Sequence, residues 1–67
     1  MTLRQLGEQY LREAGCVRER IRVLRPTADN AKAAQAEALR SRISSLYSIA
    51  ADAERIGRYL IDYTEVQ

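Results

Sequence analysis

The side chains in this sequence that are best suited to binding chemistry are its arginines. Among the 67 residues there are 11 basic ones, and Lys32 is the only lysine. A guanidinium group pairs bidentately with a carboxylate or a phosphate, so a group of arginines can form an anion site. Residues 18–42 hold seven basic and three acidic residues, a balance of +4, whereas the rest hold four basic and six acidic ones. If such a site forms near the turn, the arginines that would contact the anion are Arg18, Arg22, Arg25, Arg40 and Arg42.

The same arginines are also typical of a solvated helix surface, and the pattern favours this simpler interpretation. Glu19 precedes Arg22 by three residues, and Glu37 precedes Arg40 by three, so each pair would be neighbours on a helix. The total net charge is only +2, which does not indicate a nucleic-acid-binding protein. Binding of nucleic acid is therefore kept as the alternative hypothesis.

Nothing in the sequence points to catalysis. Histidine is absent, so the chain has no ordinary general base near neutral pH and lacks the Glu-x-x-His motif of bundle metal sites. Cys16 is the only cysteine and has no histidine to activate it. The three glycines stand alone within helical patterns, so there is no glycine-rich phosphate loop. We therefore expect no enzymatic activity, no cofactor and no metal.

The first helix is predicted between Thr2 and Pro26. Thr2 and Gln5 have the spacing of a capping box, in which each side chain bonds the other residue's backbone N–H. Pro26 has no backbone N–H and disfavours helical geometry at Arg25, so the helix is expected to end there. Apolar residues recur at steps of three and four and predict one buried stripe. This stripe consists of Leu3, Leu6, Tyr10, Ala14, Val17, Ile21 and Leu24.

A second helix is predicted to follow, with Thr27 as its cap and Asp29 in its first turn. Caps at Asp29 or Asn30 fit the pattern nearly as well. The apolar residues of this half keep a heptad repeat. They are Ala36, Leu39, Ile43, Leu46, Ala50, Ala53, Gly57 and Leu60. A neighbouring row widens the apolar face and consists of Ile49, Ile56 and Tyr63.

Two long helices joined by a short connection predict an all-α fold, an antiparallel, coiled-coil-like hairpin. The whole chain, residues 1–67, would form this single domain. The expected helices cover about residues 2–25 and about residues 28–64, with the turn at about residues 26–28.

A turn at this place would make the two helices unequal in length. Val17 would lie opposite Ala36, and Tyr10 opposite Ile43. At a rise of about 1.5 Å per residue, the first helix would span roughly 36 Å and the second roughly 54 Å. The second helix would then project past the first from about residue 50 onwards.

An exposed apolar projection of this kind is seldom tolerated by a monomer, and a chain this short supplies only a small core. We therefore expect a homodimer, in which two hairpins form a four-helix bundle and each copy covers the other's projection. An antiparallel arrangement would also set the basic turn end of one copy near the acidic open end of the other. The residues expected at this interface are Leu46, Ala50, Ala53, Ile56, Leu60 and Tyr63.

Four stretches of the sequence carry a resemblance to a known group of proteins: MTLRQLGEQY, VRERIRVLR, ALRSRISSLY and RYLIDY. Together they resemble short proteins of unknown function that Firmicutes encode, often within phage-like or conjugative elements. The resemblance implies a helical hairpin and a mobile-element setting, and it brings no catalytic or binding residues. Members of the group often end in two tyrosines and a basic tail, whereas here Tyr63 is followed by TEVQ.

These observations lead to two hypotheses about function. The first is a non-enzymatic scaffold or protein–protein interaction module that acts through self-association or by docking a helix of an unidentified protein. The alternative is a small nucleic-acid-binding accessory protein of a mobile element that uses the arginines near the turn. An antitoxin-like or inhibitor role fits the size, but no residue supports it. The chain starts at Met1 without an apolar signal segment and has no run of about 18 apolar residues, so we expect a cytoplasmic protein that binds no membrane.

Overall fold

Two α-helices, α1 (Leu3–Asn30) and α2 (Ala33–Val66), account for nearly all of the chain. The computed structural model describes residues 1–66, and its account of side chains covers residues 1–64. The helices pack against each other along their whole length and form a rod of 52 × 14 × 14 Å. The prediction of an all-α helical hairpin is confirmed. Over the described residues, neither helix contains a stretch that is long and apolar enough to cross a lipid bilayer.

The capping box predicted at the start of α1 is present. The Gln5 backbone N–H donates to the Thr2 hydroxyl oxygen at 3.0 Å, and the Thr2 backbone N–H donates to Gln5 Oε1 at 2.8 Å. These bonds satisfy two backbone donors that the first turn of a helix leaves without intrahelical partners. The first helix therefore begins at Leu3, as the sequence predicts.

The end predicted for α1 is wrong, because Pro26 lies inside the helix. Proline in a helix interior removes one backbone hydrogen bond and costs about 3 kcal/mol. Here only one further turn follows, and that turn buries Ala28, which packs in one cluster with Ile21 and Ile43. Burial of the Ala28 methyl group offsets about 1 kcal/mol of this cost. Thr27, expected to cap the second helix, belongs to this last turn instead.

The chain reverses at Ala31 and Lys32. Ala31 leaves the helix with φ −83° and ψ 157°, and its backbone N–H donates to the Ala28 carbonyl at 3.4 Å. The Asn30 side-chain amide donates to the Pro26 carbonyl at 3.0 Å. The Lys32 carbonyl then accepts the first hydrogen bond of α2, from the Ala36 backbone N–H at 2.7 Å. The turn therefore lies a few residues beyond the predicted position at 26–28.

Two glycines set the register of the hairpin. A Cβ atom added to Gly57 would lie 2.7 Å from the Gly7 carbonyl oxygen, and one added to Gly7 would lie 2.8 Å from the Gly57 carbonyl oxygen. Both distances are shorter than a carbon and an oxygen tolerate, so the two backbones approach each other as closely as they do only because both residues lack a side chain. Gly7 and Gly57 are thus directly opposite each other.

Buried residues follow this glycine pair at intervals of seven. One heptad further along each chain Ala14 lies opposite Ala50, and the next heptads pair Ile21 with Ile43 and Ala28 with Ala36. All six of these residues are buried. They form the centre of the helix contact, and only the two isoleucines among them are large.

The register corrects the predicted cross-helix neighbours. Ile43 lies opposite Ile21 rather than Tyr10, and Ala36 lies opposite Ala28 rather than Val17. The cause is the position of the turn, since each residue added to α1 before the turn also changes which residue of α2 lies opposite. The predicted stripes themselves are confirmed as the inward-facing residues, although Leu3 is nearly half exposed.

The predicted projection of α2 beyond residue 50 is also wrong. Leu60 and Ile61 both lie within 3.1 Å of a Cβ position built on Gly7, so the first turns of α1 cover this part of α2. Because α1 is longer than predicted, the two helices end close to each other at the open end of the rod. An interface between two copies would therefore have to lie along the sides of the rod rather than at its end.

Replacing Gly57 by alanine is expected to destabilise the hairpin by about 1–3 kcal/mol, because the new methyl group forces the helices apart. Gly15→Ala is the matched control, since no atom beyond its chain neighbours and the nearby backbone of its own helix lies within 4 Å of its Cβ position. That substitution should stabilise α1 by up to about 1 kcal/mol through helix propensity. Urea unfolding at equal protein concentration measures both. A Gly57→Ala variant as stable as the Gly15→Ala variant would disprove the close contact.

Candidate interaction surfaces

The rod has two long flanks that differ in chemistry. The two glycines and the six buried residues paired with them along the rod are called the central residues. Residues four positions after each central residue meet across the helices on one flank, as the contacts of Arg18 with Glu54 and of Leu11 with Gly57 show. Residues three positions after each central residue must then meet on the other flank. We call the first the polar flank and the second the apolar flank.

The apolar flank is a continuous row of hydrophobic side chains from both helices. Val17, Leu24, Leu39 and Leu46 pack against the buried isoleucines but remain partly exposed. The row continues towards the open end with Leu3, Tyr10, Ala53 and Leu60. This flank runs along nearly the whole rod.

A second row on α2 widens the apolar flank towards solvent. Ile49, Ile56 and Tyr63 follow Leu46, Ala53 and Leu60 by three residues each, and their exposed fractions are 53%, 41% and 44%. This row was predicted, and its side chains keep a large part of their surface exposed to solvent. Near the open end, Tyr59 stacks on Tyr63 with ring centroids 6.3 Å apart.

Five of the six residues predicted at a dimer interface lie on this flank. Leu46, Ala53 and Leu60 are partly buried within the hairpin, whereas Ile56 and Tyr63 face solvent. Ala50 is different, since its exposed fraction is 0%. It packs at the centre of the helix contact and cannot touch a second copy, so its assignment to the interface is wrong. The error follows from the predicted position of the turn. With the turn placed at residues 26–28, Ala50 stood where α1 ends and the projecting part of α2 begins.

On the polar flank, a cross-helix ion pair connects Arg18 to Glu54 at 2.6 Å. Arg58 approaches the other oxygen of Glu54 at 3.1 Å. The hydrogen bond and positive charge of Arg18, with a smaller contribution from Arg58, lower the pKa of Glu54 below its ordinary value of 4.5. A carboxylate of this kind stabilises the folded chain when it is ionised.

Two further contacts order the arginines near the turn. Arg25 donates to the Tyr47 hydroxyl, and its guanidinium carbon lies 5.6 Å from the centre of the Tyr47 ring. Arg22 forms a two-point pair with Glu19, through Nε at 3.1 Å and through a terminal nitrogen at 2.5 Å. This pair lowers the pKa of Glu19, chiefly through its hydrogen bond. Of the two local pairs expected from the sequence, the Glu19–Arg22 pair is thus present.

Three of the five predicted anion contacts line one groove on the polar flank, which we call the turn-end groove. Arg18, Arg22 and Arg25 form its basic side, and its volume is about 420 Å³. Its apolar residues are Ile21, Pro26 and Tyr47.

The other two predicted anion contacts lie apart from this groove. Arg42 lines a separate groove with Arg20 and Leu24, at the edge of the apolar flank. Arg40 is one heptad before Tyr47 on α2, closer to the turn. The structure therefore does not bring all five arginines together, because Arg42 lies on another flank. Cys16, an exposed free thiol, borders the groove of Arg42.

Sequence reasoning missed both cross-helix contacts of the polar flank. Neither Glu54 nor Tyr47 could be matched with an arginine of α1 while the turn was placed at Pro26. The signal that could have found them is the seven-residue spacing of small residues. Gly7, Ala14 and Ala28 in α1 recur in reverse order as Ala36, Ala50 and Gly57 in α2, and aligning the two sets gives the register without knowledge of the turn.

Comparison with protein-family models, with curated proteins and with solved structures finds no match for this chain. The resemblance to the short Firmicutes hairpin proteins therefore stays a prediction.

The lowered pKa of Glu54 predicts a pH dependence of stability. The Arg18–Glu54 pair should stabilise the hairpin fully above the ordinary pKa of 4.5 and progressively less as the pH falls below it. Glu54→Gln should therefore lose less stability than the wild type between pH 6 and pH 3, as measured by urea unfolding. Glu37→Gln is the control, since Glu37 makes no ion pair with any described residue. A wild-type pH dependence retained in Glu54→Gln would contradict this assignment.

Proposed function

We propose that this protein is a non-enzymatic helical module that works by self-association, with the apolar flank as its interface. The observation that carries the proposal is the small core of the single hairpin. Apart from alanine and glycine, the buried residues among those described are Ile21 and Ile43. Most of the large hydrophobic side chains lie on the apolar flank instead, where they keep part of their surface in water.

The exposed surface supports the same conclusion. The chain exposes 5136 Å². A compact monomeric protein of its mass exposes about 4,300 Å² according to the usual scaling of surface with mass. A two-helix rod is too thin to enclose its own apolar side chains, and a second layer of helices on the apolar flank would enclose them.

A second copy of this chain is the occupant that fits the flank best. The apolar rows run along almost the full rod, so a partner must be an apolar helical surface of comparable length, which another copy supplies. In an antiparallel two-fold arrangement, the basic turn half of one copy, with Arg20 and Arg42 at the edge of the flank, lies along the half of the other that carries Glu13. The product is an antiparallel four-helix bundle.

Ile56→Asp tests the proposal. A carboxylate at this exposed apolar position should prevent a second copy from docking, because the charge would be buried without a partner. Size exclusion with light scattering should show a dimer for the wild type at tens of micromolar and a monomer for the variant. The melting temperature should fall together with the mass.

Ala51→Asp is the matched control, since Ala51 is exposed on the polar flank of the same helix. It should remain a dimer. A wild-type chain that is helical and monomeric at these concentrations would disprove self-association and would point to a helix of another protein as the occupant of the flank.

A further inference from the structure

The turn-end groove on the polar flank combines three guanidinium groups with an apolar surface. Arg18, Arg22 and Arg25 follow one another at helical intervals of four and three, so they lie on one face of α1. Over seven residues the helix rises about 10 Å. A stacked single strand advances about 3.4 Å per nucleotide, as a strand does within a duplex, so the row of arginines matches the length of up to about three nucleotide steps.

Each of the three arginines is held by a neighbour and keeps free donors. Arg18 uses a terminal nitrogen for Glu54, Arg22 uses one edge of its guanidinium for Glu19, and Arg25 uses a terminal nitrogen for Tyr47. A guanidinium has five N–H donors, so the remaining ones can bond phosphate oxygens while the existing contacts stay in place. Because these contacts already restrict the arginine side chains, less conformational entropy is lost when a ligand binds.

The apolar part of the groove favours a ligand with unstacked rings. Tyr47 presents an aromatic ring partly exposed to solvent, and the guanidinium carbon of Arg25 lies over this ring, 5.6 Å from its centre. Pro26 and Ile21 complete the surface next to it. Bases of a single strand stack on aromatic rings and guanidinium planes, whereas bases within a duplex are already stacked on one another.

The half of the molecule next to the turn is positively charged, as binding of a phosphate backbone requires. Residues 18–42 carry a balance of +4, and Glu54 from the neighbouring helix reduces it to +3. Asp29 is the acidic residue that lines the groove, against three arginines. Potential of this kind attracts polyanions and weakens as salt is added.

We propose that the turn-end groove binds a short single-stranded segment of nucleic acid, with phosphates on Arg18, Arg22 and Arg25 and a base stacked on Tyr47 and Arg25. The proposal does not depend on self-association, because the groove lies on the polar flank and the proposed dimer uses the apolar one. The contacts are to the backbone and to ring faces, so binding is largely independent of base sequence.

Fluorescence anisotropy with a labelled 12-nucleotide oligothymidylate tests the proposal on the full chain. Three phosphate contacts on a single strand should weaken binding about 100-fold when salt rises tenfold, from 20 to 200 mM. No binding at 20 mM salt would overturn the proposal. A duplex of the same length that binds more tightly than the single strand would overturn the assignment to single strands.

Two matched pairs of variants locate the site. Arg22 and Arg55 each form an i, i+3 ion pair, at 2.5 and 2.6 Å, and their side chains are 77% and 75% exposed. Arg22→Gln should weaken binding about tenfold at low salt, whereas Arg55→Gln should change it less than twofold. Equal losses of affinity in the two variants would show that the oligonucleotide is attracted by the overall positive charge rather than bound at the groove, and this would overturn the proposal.

The second pair tests stacking. Tyr47→Leu should weaken binding about fivefold or more, because it removes the ring beneath the base. Tyr59→Leu removes another exposed tyrosine of α2 that lies outside the groove, and it should leave binding unchanged. Circular dichroism of each variant establishes that the helices remain folded. A folded Tyr47→Leu variant with wild-type affinity would remove the base-stacking part of the proposal and so overturn it.

Discussion

The contact between the Gly7 and Gly57 backbones is the constraint on which the rest of the molecule depends. Two helices can approach this closely only where neither residue has a side chain, and the alanines of the neighbouring heptads maintain the approach. Close approach fills the centre of the interface with backbone and small side chains. Apart from Ile21 and Ile43, the larger apolar residues consequently lie on the flanks of the rod.

The two flanks follow from this displacement. On one side the displaced residues are mainly Leu, Ile, Val and Tyr, which makes a surface that a second layer of helices can cover. On the other side, arginines stand next to Glu54 and Tyr47, and direct pairs form across the helices. A helix pair held further apart, with leucine at its centre, would bury more apolar surface within the single chain. The tight contact thus transfers part of the apolar surface to the outside, where it is available for association.

The parts of the fold that depend on local sequence could be predicted. The capping box of Thr2 and Gln5, the two helices and their inward-facing stripes require only short-range patterns, and all are present. The position of the turn could not be predicted this way, because local propensity places it at Pro26 whereas the helix continues beyond that residue and buries Ala28. The predicted cross-helix neighbours, the projecting end of α2 and the place of Ala50 depended on the turn, and they were wrong for that reason. The polar contacts were missed for the same reason, since Arg18 and Glu54 meet only in the true register.

The mirrored order of central residues has a consequence for how the chain folds. Ala28 and Ala36 are separated by only a few residues along the chain, whereas Gly7 and Gly57 are far apart, so the entropic cost of closing the chain is lowest at the turn and grows towards the open end. Contacts between the helices should therefore form first next to the turn and then progressively further from it, with the glycine contact formed last. The same order makes sliding by one heptad unfavourable, because Ala50 would then meet Gly7 and the isoleucines would separate. The two glycines thus select the register, because only one alignment of the two helices places Gly7 opposite Gly57 and lets the helices pack along their whole length.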